Sequence, residues 1–132
     1  MTHKEKELLA KDLSGRLDYE PYIKIEGCSN GCSNVFLTGI YYDYEDYGAK
    51  NYYVNNGYDI SRVKPYLFPL SSMTEEQEME YDATFATILY EDGKRDSTMT
   101  YKSFDWLNKN HFDYRGLIPM GLANDATGLN IY

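Results

Sequence analysis

Tyr22-Ile23-Lys24-Ile25-Glu26-Gly27-Cys28-Ser29-Asn30-Gly31-Cys32-Ser33-Asn34-Val35-Phe36-Leu37-Thr38-Gly39-Ile40-Tyr41-Tyr42 decides the fold. Its first five residues alternate, with Ile23 and Ile25 on one side, as a half-buried strand does. Asn30-Gly31 is a type I′ hairpin signal, because both central positions of that turn need φ > 0. Val35–Tyr42 then follows as a second strand, apolar on both faces and so expected in the centre of a sheet. A second such signal, Asn56-Gly57, separates Asn51–Asn55 from Tyr58–Val63. Together these predict a meander of three to five antiparallel strands, with closure into a small barrel as a variant. Asp43-Tyr44-Glu45-Asp46-Tyr47-Gly48 is expected as a solvated hairpin loop.

Upstream, Leu8, Leu9 and Leu13 form an apolar stripe opposite Lys and Glu residues, predicting a helix over 3–14. Gly15 is placed to end it in the left-handed conformation. Downstream, the two prolines of Lys64-Pro65-Tyr66-Leu67-Phe68-Pro69-Leu70 remove backbone donors, which predicts an extended connection and not a central strand. Leu67, Phe68 and Leu70 would lay it over the core. Thr74 and Gln77 make a capping box, so a helix starts at Glu75 behind an acidic first turn. Met79, Ala83, Ala86 and Tyr90 keep a helical period, and helix is favoured there. The alternative pairs Thr84–Tyr90 with Ser97–Tyr101 across Asp92-Gly93. A further helix is expected over 101–110, with Phe104, Leu107 and His111 on one side. Brief helical turns follow around Leu117-Ile118, Met120 and Leu122-Ala123, and Phe104, Trp106, Phe112 and Tyr114 are assigned to an aromatic core. The expected fold is therefore α+β: an N-terminal helix, a small antiparallel meander and C-terminal helices, in a single domain spanning 1–132.

Composition narrows the function classes. The formal charge of −8 is concentrated in residues 17–100, and such a field repels phosphate backbones, which disfavours direct nucleic-acid binding. It would favour a basic partner, although acidic surfaces commonly just keep a protein soluble. No window approaches the roughly 18 apolar residues of a membrane span. Met1–Glu7 is charged and lacks the apolar stretch and cleavage site of a secretory leader. With only two cysteines, Cys28 and Cys32, a reducing compartment, the cytoplasm, is expected. Nothing in the pattern specifies an oligomeric state.

Neither glycine-rich phosphate loop occurs, nor the nucleophile elbow. Zinc would need Cys28, Cys32, His3 and His111 together, with a cysteine spacing one residue too long and histidines far off in sequence. Asp43-x-Glu45-x-Tyr47-Gly48 resembles the start of a calcium loop, but its twelfth position is Val54 where a bidentate Glu is required. No metal and no cofactor is expected. His111 beside Asp113 or Asp105 could form an acid–base pair, yet a histidine at a helix C-terminus is more often a cap, favourable when charged. Carboxylate pairs of glycosidase type have almost no specificity in a chain with 21 acidic residues.

The unusual feature is 15 tyrosines, seven of them from Tyr41 to Tyr58. Tyrosine packs well on half-buried sheets, and it also covers apolar area at small entropic cost in recognition surfaces. Tyr42, Tyr44, Tyr47, Tyr52, Tyr53 and Tyr58 are accordingly the candidate binding residues, and the leading expectation is a non-catalytic module acting through a protein partner. A second expectation is an acidic decoy of a host nucleic-acid-binding protein, with carboxylates aligned from Glu26 to Asp59 and from Glu75 to Asp82. A third is a small enzyme centred on His111, with Asp113 and Arg115 in a shared pocket.

Three stretches carry a resemblance. They are Leu8-Leu9-Ala10-Lys11-Asp12-Leu13-Ser14-Gly15-Arg16-Leu17, then Lys64-Pro65-Tyr66-Leu67-Phe68-Pro69-Leu70-Ser71-Ser72-Met73-Thr74, and Phe104-Asp105-Trp106-Leu107-Asn108 with His111-Phe112-Asp113-Tyr114-Arg115-Gly116-Leu117-Ile118. With the adjoining tail, about half the chain resembles a group of small proteins encoded by phages and prophages of gut bacteria. The resemblance implies a mobile-element origin and host-cell cytoplasm; it implies no activity and carries over no functional residues. After Arg16-Leu17 that group continues Pro-Tyr-Gly-Val, whereas this chain has Asp18-Tyr19-Glu20-Pro21, which leaves the start of the first strand open.

Overall fold

A computed structural model describes residues 1–27, 34–44, 48 and 50–132. Helix α1 (His3–Arg16) opens on a reciprocal capping box, in which Thr2 Oγ1 accepts from the Glu5 amide and the Glu5 carboxylate from the Thr2 amide. The helix runs through Gly15 instead of ending there. An ion pair spans the glycine: Arg16 grips Asp12 one turn back, at 2.8 and 3.1 Å, and reaches the Phe112 carbonyl at 2.7 Å. Gly15 leaves room for the Asn108 side chain, 3.5 Å from where a Cβ would stand. The left-handed residue comes later, at Glu20 (φ 47°), just before Pro21.

Strands β1 (Tyr22–Ile25) and β2 (Asn34–Phe36) pair antiparallel, Ile23 opposite Val35. The Asn30-Gly31 turn expected between them lies outside the described residues, as do Cys28 and Cys32. The long central strand predicted over 35–42 is instead broken. After β2 the chain turns through Leu37–Gly39 into β3 (Ile40–Tyr44), which belongs to a different sheet with β4 (Lys50–Val54) and β5 (Tyr58–Asp59). Asn55 causes the break by taking over the local backbone groups. Its side chain accepts from the Thr38 amide (2.7 Å) and donates to the Phe36 carbonyl (3.0 Å), while its own amide donates to the Gly39 carbonyl (2.9 Å). Leu37 drops into the core. β2 thus forms a sheet edge and not a centre.

The proline-bearing stretch is also a strand, β6 (Val63–Pro69), at the heart of the first sheet. Pro65 is tolerated for a positional reason. The Glu26 amide donates to the Arg62 carbonyl at 2.7 Å, and Lys24 stands opposite Lys64. Hydrogen-bonded and non-bonded pairs alternate in an antiparallel ladder, so Ile23–Pro65 is a non-bonded pair and the missing N–H faces away from β1. Leu67 is fully buried as expected, but Leu70 stays on the surface.

Helix α2 (Glu75–Asp82) begins at the expected Thr74–Gln77 box. It stops early, because the chain turns at Ala83–Phe85 into an antiparallel hairpin, β7 (Ala86–Leu89) and β8 (Arg95–Thr98). The favoured helix to Tyr90 is thereby overturned: β-branched Thr87 and Ile88 around the Asp92-Gly93 turn outweigh a helical period with few apolar residues. Helix α3 (Tyr101–Lys109) buries Ser103, Leu107 and Asn108, leaving Phe104 on the surface against Tyr114. Trp106 stacks on buried Phe112 at 5.6 Å. Two short strands, β9 (Phe112–Asp113) and β10 (Asn124–Asp125), then run parallel to β6.

The result is an α+β fold whose described residues form three separate antiparallel-rich sheets and no closed barrel. Its core gathers Leu9 and Leu13 of α1, Ile23, Ile25, Val63 and Leu67 of the first sheet, Val54 of the second, and Leu117 and Leu122 of the tail. No helix among the described residues is long and apolar enough to cross a membrane.

Candidate functional site

Five of the six expected tyrosines lie on the β3–β4–β5 sheet. Tyrosine suits a pleated surface, and the turn residues Asn55 (φ 51°) and Gly57 (φ 115°) supply the left-handed backbone that reverses β4 into β5. Register then sorts the rings. Tyr42 faces Tyr52, Tyr44 faces Lys50, and Val54 faces both Ile40 and Tyr58. These side chains share one face; Tyr41 and Tyr53, opposite one another, occupy the other.

The first face begins inside the protein and ends outside it. Val54 is fully buried, with Ile40, Tyr52 and Tyr58 packed against the core. Along β3 the rings emerge: Tyr42 is 51% exposed and Tyr44 63%. They are ordered among themselves. Tyr42 meets Tyr44 edge-on at 5.7 Å and Tyr52 at 6.2 Å, while Lys50 Nζ stands 4.6 Å over the Tyr42 ring. Behind them, Tyr41 stacks on Tyr53 at 5.5 Å and is 47% exposed. Where this hairpin leaves α1 there is a cleft of about 310 Å³, walled by Tyr42, Tyr52 and Lys50 on one side and Glu7, Lys11 and Ser14 on the other.

Of the six candidate residues, Tyr42, Tyr44, Tyr52 and Tyr58 share the first face, and Tyr53 lies on the reverse. Tyr47 lies outside the described residues, with most of the acidic loop around it. Tyr41 and Lys50 were missed. The period-two alternation could have found Tyr41 as the reverse-face partner of Tyr53; Lys50 becomes visible only through the register that sets it opposite Tyr44.

His111, Asp113 and Arg115 each have a different partner. Asp113 is buried and accepts from the Leu117 and Ile118 amides, both at 2.9 Å. Arg115 donates to Asp12 at 3.1 Å. His111 stacks on Tyr132 at 3.6 Å, interplanar angle 10°. It is a cap in backbone terms, since it takes the left-handed position after α3 (φ 62°) and donates its amide to the Asn108 carbonyl. It is not a charged one. Burial, aided by the Arg16 guanidinium, lowers its pKa to about 4, so the imidazole is neutral at pH 7. His3 lies apart on α1, 3.3 Å from Glu7. Among the described residues no three metal-ligating side chains come together.

The chain matches no family model, no curated protein and no solved structure.

Proposed function

We propose that this protein is a non-catalytic interaction module whose contact face is the tyrosine hairpin β3–β4. One observation carries the reading: rings anchored in the core at Tyr52 and Tyr58 continue outward through Tyr42 and Tyr44 as an ordered aromatic surface in water. Semi-rigid tyrosines lose little entropy on binding and offer both an apolar ring and a hydroxyl, the chemistry of recognition surfaces. Lys50, fixed over Tyr42, adds a cation to an otherwise acidic body. The resemblance to phage and prophage proteins supports an accessory role in a host cytoplasm, with a host protein as partner. Affinity capture from cells of the source organism tests this. A double variant, Tyr42→Ser with Tyr44→Ser, should keep its melting temperature yet lose the captured partner. Undiminished capture would refute the assignment.

A second reading, the acidic decoy, draws support from α2, whose Glu75, Glu76, Glu78, Glu80 and Asp82 are all exposed. It requires that a nucleic-acid-binding protein be captured, that duplex DNA compete for it, and that capture fall steeply with salt. Capture indifferent to salt would dispose of it.

A further inference from the structure

The segment from α2 through β8 forms an arm unlike the rest of the chain. Every residue of β7 and β8 is exposed, and α2 buries none. The arm is fastened at its base: Tyr81 packs on Trp106, and Thr84 bonds Ser103 and Thr100. Beyond that base, β7 and β8 pair only with each other among the described residues. A lone two-stranded hairpin is marginal in water and is stabilised by a third strand.

The free edge of β7 is unprotected. The Tyr90 amide donates to the Lys94 carbonyl at 2.9 Å, and the register pairs Ile88 with Asp96 and Ala86 with Thr98. By alternation those pairs are hydrogen-bonded, so the N–H and C=O groups of Thr87 and Leu89 point outward, away from β8. Natural edges are usually blunted by a charge, a proline or a bulge. Ala86-Thr87-Ile88-Leu89 carries no charge and no proline, and Leu89 is 67% exposed.

Charge decides the occupant. Residues 75–98 hold eight carboxylates (Glu75, Glu76, Glu78, Glu80, Asp82, Glu91, Asp92, Asp96) against Lys94 and Arg95, a net of −6 out of the chain's −8. A second copy of this arm would bring like charge against like. We infer that β7 accepts an extended, lysine- or arginine-bearing segment of another protein as a third strand, with Thr87 and Leu89 supplying the backbone hydrogen bonds and the surrounding carboxylates selecting for positive charge. This concerns a different surface from the tyrosine hairpin and depends on neither reading above.

The test uses the full chain and a synthetic eight-residue peptide alternating lysine and valine, with a glutamate–valine peptide as control. The lysine peptide should bind, more weakly by roughly tenfold or more at high salt than at low. Amide exchange at Thr87 and Leu89 should slow on binding, while Ile88 is unchanged. Thr87→Pro removes an outward donor without touching the β7–β8 ladder and should weaken binding by about tenfold; N-methylating alternate amides of the peptide should do the same with the protein unaltered. Equal binding of the glutamate peptide, protection outside β7, or no binding would overturn the inference. So would self-association of the chain that Thr87→Pro disperses, which would make the occupant a second copy.

Discussion

Tyr132 shows how much one hydroxyl can carry. After Lys24–Lys64, the next hydrogen-bonded pair between β1 and β6 would be Tyr22–Tyr66, but there the Tyr132 phenol enters the ladder. It accepts from the Tyr22 amide at 2.8 Å and donates to the Tyr66 carbonyl at 2.9 Å. Tyr132→Phe strands both backbone groups and should cost about 1–3 kcal/mol of stability, readable by denaturant melts. Burial pushes the Tyr132 phenol up to about 12. Because the folded value lies above the ordinary one near 10, its contribution is complete below pH 10 and disappears as pH rises towards 12. His111 works in the opposite sense. Its folded value, about 4, lies below the ordinary 6.5, so the protein keeps this contribution above pH 6.5 and loses it as pH falls towards 4. Melting temperatures across both windows check the two signs. Asp12 is fully buried between Arg16 and Arg115. Asp12→Ala leaves Arg16 charged and unpaired in the interior and should destabilise the fold by about 3–5 kcal/mol.

At the scale of elements, the tyrosine hairpin and the arm should differ in behaviour. The β3–β4 pair is anchored by Val54 and Tyr52 in the core, and its amides should exchange slowly; the β7–β8 amides, with nothing buried, should exchange fastest among the strands. Hydrogen exchange of the free protein checks this ordering. The same contrast explains what the sequence made legible. Local signals succeeded where one residue type controls local geometry: the Thr74–Gln77 box, the leucine stripe of α1, and the place, though not the type I′ form, of the Asn56-Gly57 reversal, whose loop holds three residues with φ > 0 at Asn55 and Gly57. They failed where a distant partner decides. Gly15 could not announce that Arg16 and Asp12 would hold the helix beyond it. Val35–Tyr42 is uniformly strand-forming, and only Asn55, far along the chain, cuts it in two. Pro65 looked prohibitive until the ladder's alternation turned its missing donor away from β1. For the candidate site, the clustering of tyrosines was visible, but the split into two faces and the role of Lys50 came from register.

Across the whole molecule, a compact body built on α1, the first sheet and the tail presents two different projections. One is aromatic and carries a lysine; the other is acidic, with apolar positions at Met79 and Leu89. Most of the net charge lies on the second, so the contribution of the first to binding should depend little on salt, because ring burial is not a Coulombic effect. The exposed rings also contribute little to folding, and Tyr42→Ser or Tyr44→Ser should change stability by only about 0.5 kcal/mol or less. Whether a partner sits on the tyrosine hairpin, as we propose, is read from a hydrogen-exchange and tyrosine-modification footprint of the captured complex against the free protein. Protection is expected at Tyr41, Tyr42, Tyr44 and the β3 amides. Unchanged reactivity of those tyrosines in a complex protected elsewhere would contradict it.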